Sequence, residues 1–249
     1  MDIYGKLAIP DSCYLGKRIF KKLFLENTTL NAADRKAFTQ DVDEVTWKYT
    51  LKPETINIGR YEDEEREYHE IAIIQVNLKG KGRYRRIGQI IQRAVPYPIL
   101  IVFCCDSSIA LHVASKRISL GDSEKMIVED LQDTGWFDLE KPNESQREFL
   151  ESLCVTSFSF NNYFEFYSDL TERMVALQCS EISGQYSYGK NAPDVNRVEV
   201  LEKINTLTGK QNELRSILKK ETQFNQKVEL NMQIKKLSEQ IQMQKSLLV

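Results

Sequence analysis

Two short motifs in the chain could support metal-assisted chemistry on a phosphodiester. Pro53-Glu54 supplies a carboxylate, and Asn77-Leu78-Lys79 supplies a lysine after a plausible interval. An acid on one strand, with an acid and a lysine two residues apart on the next, can bind Mg²⁺ and position water for attack. Asn77 stands where the second carboxylate is needed, and an amide offers one neutral oxygen instead. We therefore expect no catalytic residue, metal or cofactor, and keep Glu54 and Lys79 with Mg²⁺ as the alternative.

A run of cations follows the second motif. Residues 71–105 contain no acidic side chain, and such a local patch can contact phosphates even on a chain whose net charge is −2. The alternative is a solvated loop and outer helix face that pair with the acidic segment at residues 62–70. On the first interpretation, the nucleic-acid-binding residues are Lys79, Lys81, Arg83, Arg85, Arg86 and Arg93.

The histidines and cysteines give weaker signals. His69 and His112 lie on separate predicted strands, and each is more typical of a strand residue than of a ligand or base. The five cysteines show no Cys-x-x-Cys spacing, which favours reduced thiols in a cytoplasmic protein over disulfides. The sequence contains neither a Walker-type phosphate loop nor a Gly-x-Ser-x-Gly element.

The composition is that of a folded domain. Apolar residues make up 41% of the 249 residues and aromatic residues 10%, which is too many for a disordered chain. The N-terminus lacks the basic start and apolar stretch of a signal peptide. The longest apolar run, PILIVFCC, is too short to cross a bilayer. We therefore expect a cytoplasmic protein without a membrane partner.

The elements that would position these residues form a mixed α/β pattern. Helical spacing predicts a helix in LGKRIFKKLFLEN, and Asn31 is placed to cap a second in AADRKAFTQDV. DEVTWKYTL, the short extended piece ETINI and YHEIAIIQVNL predict strands, before a helix that Pro96 stops. YPILIVFCC and IALHVAS predict two more strands, and helices around ESQREFLESL and NNYFEFYSDLTERMVALQ complete the domain.

The result is an α-β-β-β-α-β-β domain over residues 1–190, a mixed sheet flanked by helices. Its order is similar to the core of nucleases of the PD-(D/E)xK type. This similarity implies a degenerate, inactive restriction-endonuclease-like core, and an unrelated α/β sheet is the alternative.

Residues 195–249 predict a helical tail. It carries ten Lys/Arg against six Asp/Glu, so the tail is +4 and the first 194 residues are −6. Extending its first apolar seam from Leu218 misses Leu230, so a continuous coiled coil would need a stutter. A hairpin that folds back near residues 219–225 would bury both seams instead, although this region lacks Gly and Pro. The first seam is Val200, Ile204, Leu207, Gln211, Leu214 and Leu218, and the second is Leu230, Ile234, Leu237, Ile241 and Leu248.

Three stretches resemble the bacterial domain-of-unknown-function family 4391: EVTWKYTLKPETINI, AVPYPILIVF and, above all, KKETQFNQKVELNMQIKKL. The resemblance runs from about Ile19 to the C-terminus. It carries no assigned chemistry. It implies an accessory protein found beside helicases and DNA methyltransferases in restriction-like and phage-defence loci.

We therefore expect a non-catalytic interaction subunit of such a complex, with protein partners that include a helicase or DNA methyltransferase. The tail would bind these partners or a second copy of the chain, and the basic segment would contact DNA or RNA. The alternative is a metal-dependent nuclease, and a purely structural oligomerisation module is a third class. In the tail, the predicted partner-binding residues are Gln223, Phe224, Asn225, Lys227 and Asn231.

Overall fold

The computed structural model describes residues 2–26, 30–119 and 121–249. Its helices are α1 (Ile3–Leu7), α2 (Lys21–Glu26), α3 (Ala32–Asp41), α4 (Pro53–Ile56), α5 (Tyr84–Ala94), α6 (Glu144–Ser152), α7 (Tyr163–Ser183), α8 (Arg197–Leu218) and α9 (Phe224–Lys245). Its strands are β1 (Tyr14–Ile19), β2 (Val42–Leu51), β3 (Tyr61–Glu62), β4 (Glu67–Tyr68), β5 (Ile71–Leu78), β6 (Ile99–Cys105), β7 (Ser108–Ser119), β8 (Asp122–Asp133) and β9 (Phe137–Asp138).

Within the described residues, seven strands form one mixed sheet flanked by helices. The strand order is β1-β2-β5-β6-β7-β8, β9 pairs with β7, and β3 and β4 form a separate hairpin. β5 and β6 are parallel, and the other neighbours are antiparallel. Parallel neighbours need a crossover, and α5 provides it. The mixed α/β fold expected from the sequence is therefore present.

The chain divides into two compact units, the first ending at Met174 and the second running from Val175 to Val249. The sheet belongs to the first unit, and α8 and α9 belong to the second. The boundary falls within α7, upstream of the predicted division at residues 190–195.

Two predicted elements are wrong in part. The segment predicted as the first helix includes most of strand β1, and its helix begins only at Lys21. The apolar residues that suggested one helix do not share a buried side, because Phe20 and Leu23 are exposed and Phe24 is buried. The ETINI segment forms helix α4 rather than a strand. Pro53 starts this helix, and Asn57 ends it in the left-handed conformation.

Local signals account for the elements that were predicted correctly. Asn31 caps α3 by accepting a hydrogen bond from the backbone N–H of Asp34 at 2.8 Å. α5 begins after the Gly-containing turn and ends before Pro96, as predicted. The even-numbered residues of β5 belong to a buried cluster with the isoleucines of α5: Ala72, Ile74, Val76, Leu78, Ile87, Ile90 and Ile91.

Helix α5 approaches the sheet closely at Gly88. A Cβ atom at this position would lie 2.8 Å from two atoms of the His112 imidazole. His112 is 2% exposed, its ring meets the ring of Phe103 edge-on, and its Nδ1 has no hydrogen-bond partner among the described residues. The absence of a side chain at position 88 is therefore what lets α5 lie flat on β7.

The tail is a hairpin of two packed helices rather than one continuous helix. The residues of both predicted seams are buried or half-buried, as the alternating steps of three and four predict, and Arg197 and Leu201 of α8 are buried as well. Val200, Leu201 and Ile204, near the start of α8, form a buried cluster with Leu248, beyond the end of α9. The two helices are therefore antiparallel.

The turn of the hairpin contains neither Gly nor Pro, and a carboxylate stabilises it by hydrogen bonds to the backbone. Glu221 Oε1 accepts hydrogen bonds from the backbone N–H groups of Thr222 and Gln223, both at 2.7 Å. These two bonds hold the pKa of the Glu221 carboxyl below its ordinary value. Midway along the seam, Gln211 is 6% exposed and donates from Nε2 to Ser238 Oγ at 2.7 Å. A buried polar side chain whose partner lies on the neighbouring helix fixes the register of the two helices.

We predict that Gly88→Ala destabilises the protein. The new methyl group would overlap the buried His112 ring, at a typical overpacking cost of about 1–3 kcal/mol, partly offset by the better helix propensity of alanine. Gly209→Ala is the matched control, because Gly209 also lies inside a helix but has open space around its Cβ position. That variant should gain up to about 1 kcal/mol. Urea denaturation of both variants measures the difference, and equal effects would contradict the close approach.

The buried imidazole also predicts a dependence of stability on pH. Burial lowers the pKa of His112 to about 4, against about 6.5 in an unfolded chain. As pH falls from 6.5 towards 4, the unfolded chain takes up a proton that the folded one does not, so stability is lost by on the order of 3 kcal/mol. His112→Gln should lose less stability between pH 7 and 5. Parallel curves of unfolding free energy against pH for the two proteins would rule this out.

Candidate functional site

The structure separates Glu54 from Lys79. β2 and β5 run antiparallel, and the end of β2 at Leu51 pairs with the start of β5 at Ile71. Glu54 lies beyond this end, whereas Lys79 follows the last residue of β5. The eight residues of β5, at about 3.3 Å each, put roughly 25 Å between the two ends. These two side chains therefore do not form the joint Mg²⁺ site of the alternative hypothesis.

Glu54 instead borders a cleft of about 610 Å³ in the first unit. Its carboxylate is 69% exposed and lies 3.8 Å from Arg60, and Lys52 lies 3.4 Å from Glu70 across the same cleft. The lining carries three acidic side chains and three basic or histidine side chains, so its charges are largely balanced. The remaining lining residues are Pro53, Glu67, His69, Pro96, Tyr97 and Met126.

Asn77 lies on the face of β5 that does not carry the α5 core, together with Gln75. Gln75 Nε2 donates to Asn77 Oδ1 at 2.8 Å, and the Tyr4 hydroxyl donates to Gln75 Oε1 at 2.9 Å. Cys104 pairs with Asn77 on β6, and burial raises the pKa of its thiol to about 11. This face therefore presents amide, phenol and thiol groups. Sequence reasoning noted Asn77 but missed Gln75, although the two-residue spacing put both on one face.

Two arginines of the basic segment are held by carboxylates of α3. Arg86 forms a two-pronged ion pair with Asp34, with nitrogen–oxygen distances of 2.5 and 2.7 Å. The hydrogen bond from Arg86 holds the pKa of the Asp34 carboxyl below its usual value. Arg83 binds Asp41 in the same way, at 2.6 and 2.7 Å. Both guanidinium groups therefore use their planar fork inside the protein.

A third arginine shares its carboxylate with a tyrosine. Arg85 donates to Asp133 at 2.9 and 3.2 Å, and the Tyr84 hydroxyl donates to the same carboxylate at 2.5 Å. Burial would raise the pKa of Asp133, but these bonds outweigh it and hold the pKa below its ordinary value. The carboxylates that pair with the arginines thus come from α3 and β8. The acidic segment at residues 62–70, expected as their partner, does not supply them.

The remaining cations of the segment are placed differently. Lys81 donates to the Ser108 hydroxyl at 2.6 Å and lies 5.8 Å from the centre of the Trp136 ring. Lys79 is exposed and takes part in no ion pair among the residues that the structure describes. Arg93, at the last turn of α5, is near enough to Asp34 to help lower its pKa. Lys79 and Arg93 are therefore the cations best placed to meet a phosphate.

The predicted partner-binding residues of the tail lie at the distal end of the hairpin. Gln223 precedes α9, Phe224 begins it and is 77% exposed, and Lys227 and Asn231 follow within two turns. Asn231 Nδ2 donates to the carbonyl of Lys227 at 2.9 Å, and Asn225 is exposed. The structure therefore places these residues within two turns of one another at the start of α9.

The predicted partner-binding set left out two apolar residues beside it. Val228 and Met232 follow Phe224 at four-residue intervals and are 43% and 68% exposed. Their spacing places them with Phe224 along one side of α9. The four-residue step was visible in the sequence, but it could be assigned to this side only after the seam was known to face α8.

Comparison with known proteins identifies a family. The family model described as "Domain of unknown function (DUF4391)" matches residues 7–241. No curated protein and no solved structure matches the chain. Across the described residues, His, Cys, Asp and Glu form no group of three or more that could hold a metal ion. In the same part of the chain, every helix is too short or too polar to span a membrane.

The ion pair of Arg85 predicts a structural effect of its removal. Arg85→Ala deprives a carboxylate that is 19% exposed of two hydrogen bonds, and we expect a loss of about 1–2 kcal/mol. Lys79→Ala removes an exposed cation from the same segment and should change stability by less than about 0.5 kcal/mol. Urea unfolding at neutral pH compares the two. An Arg85→Ala protein as stable as the parent would return Arg85 to the set of free phosphate-binding cations.

Proposed function

The chain belongs to the domain-of-unknown-function family DUF4391, and from that premise we propose that it is a non-catalytic interaction subunit that binds a partner protein through its helical hairpin. The complex we propose for it is a bacterial anti-phage defence or restriction-like assembly in the cytoplasm. Its proposed partner is a helicase or DNA methyltransferase of the same locus.

One observation carries the proposal: Phe224, Val228 and Met232 form an exposed apolar row on a helix whose other side already packs on α8. Single exposed apolar residues are ordinary on protein surfaces, but a continuous row of large ones marks a site of contact. Aromatic and methionine side chains are enriched at protein interfaces. Because Phe224 is 77% exposed, its side chain contributes little to the fold that presents it.

The sheet is consistent with a degenerate restriction-endonuclease-like core. Its first three neighbours, β1, β2 and β5, are antiparallel, and α5 then leads to the parallel strand β6. At the end of β5, Asn77 occupies the position that would carry the acid, and Lys79 follows at the position of the lysine. An amide oxygen gives a divalent ion no negative charge, which supports a role without catalysis.

The proposal includes a smaller role for nucleic acid. Three of the six predicted cations, Arg83, Arg85 and Arg86, are already bound to carboxylates. Phosphate would have to displace those carboxylates, so the proposed contact with DNA or RNA uses mainly Lys79 and Arg93. Such contact would be weak and dependent on salt, because few phosphates are neutralised.

The test is co-purification from the native host with a tagged full-length chain. We expect Phe224→Asp to abolish retention of the partner, because a carboxylate would be buried in the apolar contact. Gln240→Asp is the matched control, since Gln240 is exposed on the same helix outside the apolar row. Unchanged melting temperatures would show that both variants fold. Retention by Phe224→Asp, or Mg²⁺-dependent DNA cleavage that Lys79→Ala abolishes, would contradict the proposal.

A further inference from the structure

Helix α9 has two apolar sides. The seam side contains Leu230, Ile234, Leu237 and Ile241, which are half-buried against α8. At 100° per residue, the row of Phe224, Val228 and Met232 lies roughly 150° around the helix from the centre of that seam. We call this row the outer stripe. Since the seam accounts for the packing of the hairpin, the outer stripe has no function within it.

The first half of α9, which carries the outer stripe, is positively charged. Residues 224–236 carry three Lys against one Glu. Helical spacing places Lys227 and Lys236 on opposite sides of the stripe and Lys235 in line with it, one turn beyond Met232. Glu229, the one acidic residue of residues 224–236, lies on the same flank of the stripe as Lys236. The charge beside the apolar row is therefore net positive.

We propose that the outer stripe binds one amphipathic helix of a partner protein, whose apolar row is bordered by Asp and Glu. This inference rests on the proposed function and assigns the chemistry of the partner. The three side chains span about 12 Å along α9, which matches two turns of a helix with apolar residues at i, i+4 and i+7. The acidic borders of that helix would face Lys227 and Lys236.

A second copy of the chain fits this surface less well. Two outer stripes packed against each other would bring the lysines of one copy close to the lysines of the other, and like charges at a contact are unfavourable. An acidic helix meets the same lysines with opposite charge. The balance of charge thus favours a partner other than the chain itself.

The first experiment identifies the bound segment. A benzophenone amino acid replaces Met232 in the full-length chain, and a second protein carries it at Gln233, which is exposed and points about 100° away around the helix. After irradiation in the native host, mass spectrometry identifies the cross-linked peptide. We expect position 232, and not position 233, to capture a helical segment with Asp or Glu beside its apolar residues.

The second experiment tests the charges with that peptide in synthetic form. Lys227→Glu, Lys235→Glu and Lys236→Glu together should weaken its binding to the full-length chain by at least about 10-fold, and Phe224→Ala should do the same. A peptide with its acidic residues changed to lysine should bind the triple variant better than it binds the parent. A loss that the charge-reversed peptide does not restore would overturn the inference.

The possible outcomes separate this inference from the proposed function. A captured peptide without acidic borders, or a second copy of this chain at position 232, overturns the acidic helix. If the captured peptide lacks acidic borders, the proposal that the hairpin binds a partner protein still holds. Binding of a 20-nucleotide DNA or of phosphatidylserine vesicles that Phe224→Ala abolishes would reassign the stripe to that ligand. Capture at neither position, with no partner lost in Phe224→Asp, would overturn both.

Discussion

The close packing of α5 on the sheet at Gly88 and His112 is the constraint on which the first unit depends. Parallel strands β5 and β6 require a crossover, and α5 can lie flat over them because no side chain separates its backbone from the imidazole. The ring is buried and its pKa is low, so it stays neutral and acts as a packing group. The isoleucines on the same side of α5 then reach the core, and the polar side of the helix must face outwards.

That orientation decides what the basic segment can do. With α5 fixed, Arg86 reaches Asp34, and Arg85 reaches Asp133, which pairs with His112 across β7 and β8. The cations that look free in the sequence therefore tie α5 to α3 and to the strand beside β7. A bound arginine contacts a phosphate only by giving up a carboxylate, so the local excess of charge overstates the attraction for nucleic acid. The same residues thus stabilise the fold at the expense of the predicted binding.

Features with a local signal could be predicted from the sequence, and features that depend on distant partners could not. The Asn31 cap, the helix before Pro96 and both seams of the tail follow from short-range spacing. The Arg85–Asp133 pair joins residues 48 positions apart, and nothing near either residue indicates it. β1 was mistaken for helix because its apolar residues continue into α2 with helical spacing. The separation of Glu54 from Lys79 follows from strand direction, which the motif spacing does not contain.

The hairpin shows why its two apolar sides have different roles. The hairpin folds by burying one continuous seam between α8 and α9. Leucines and isoleucines of both helices form this seam, and the buried Gln211 sets its register. A second apolar row opposite that seam adds nothing to the packing and increases the tendency to aggregate. Lys227 and Lys236 beside the row counter that tendency, because the like charges of two copies repel each other. Those same lysines narrow the range of complementary surfaces, because an apolar partner is favoured only when it also carries negative charge.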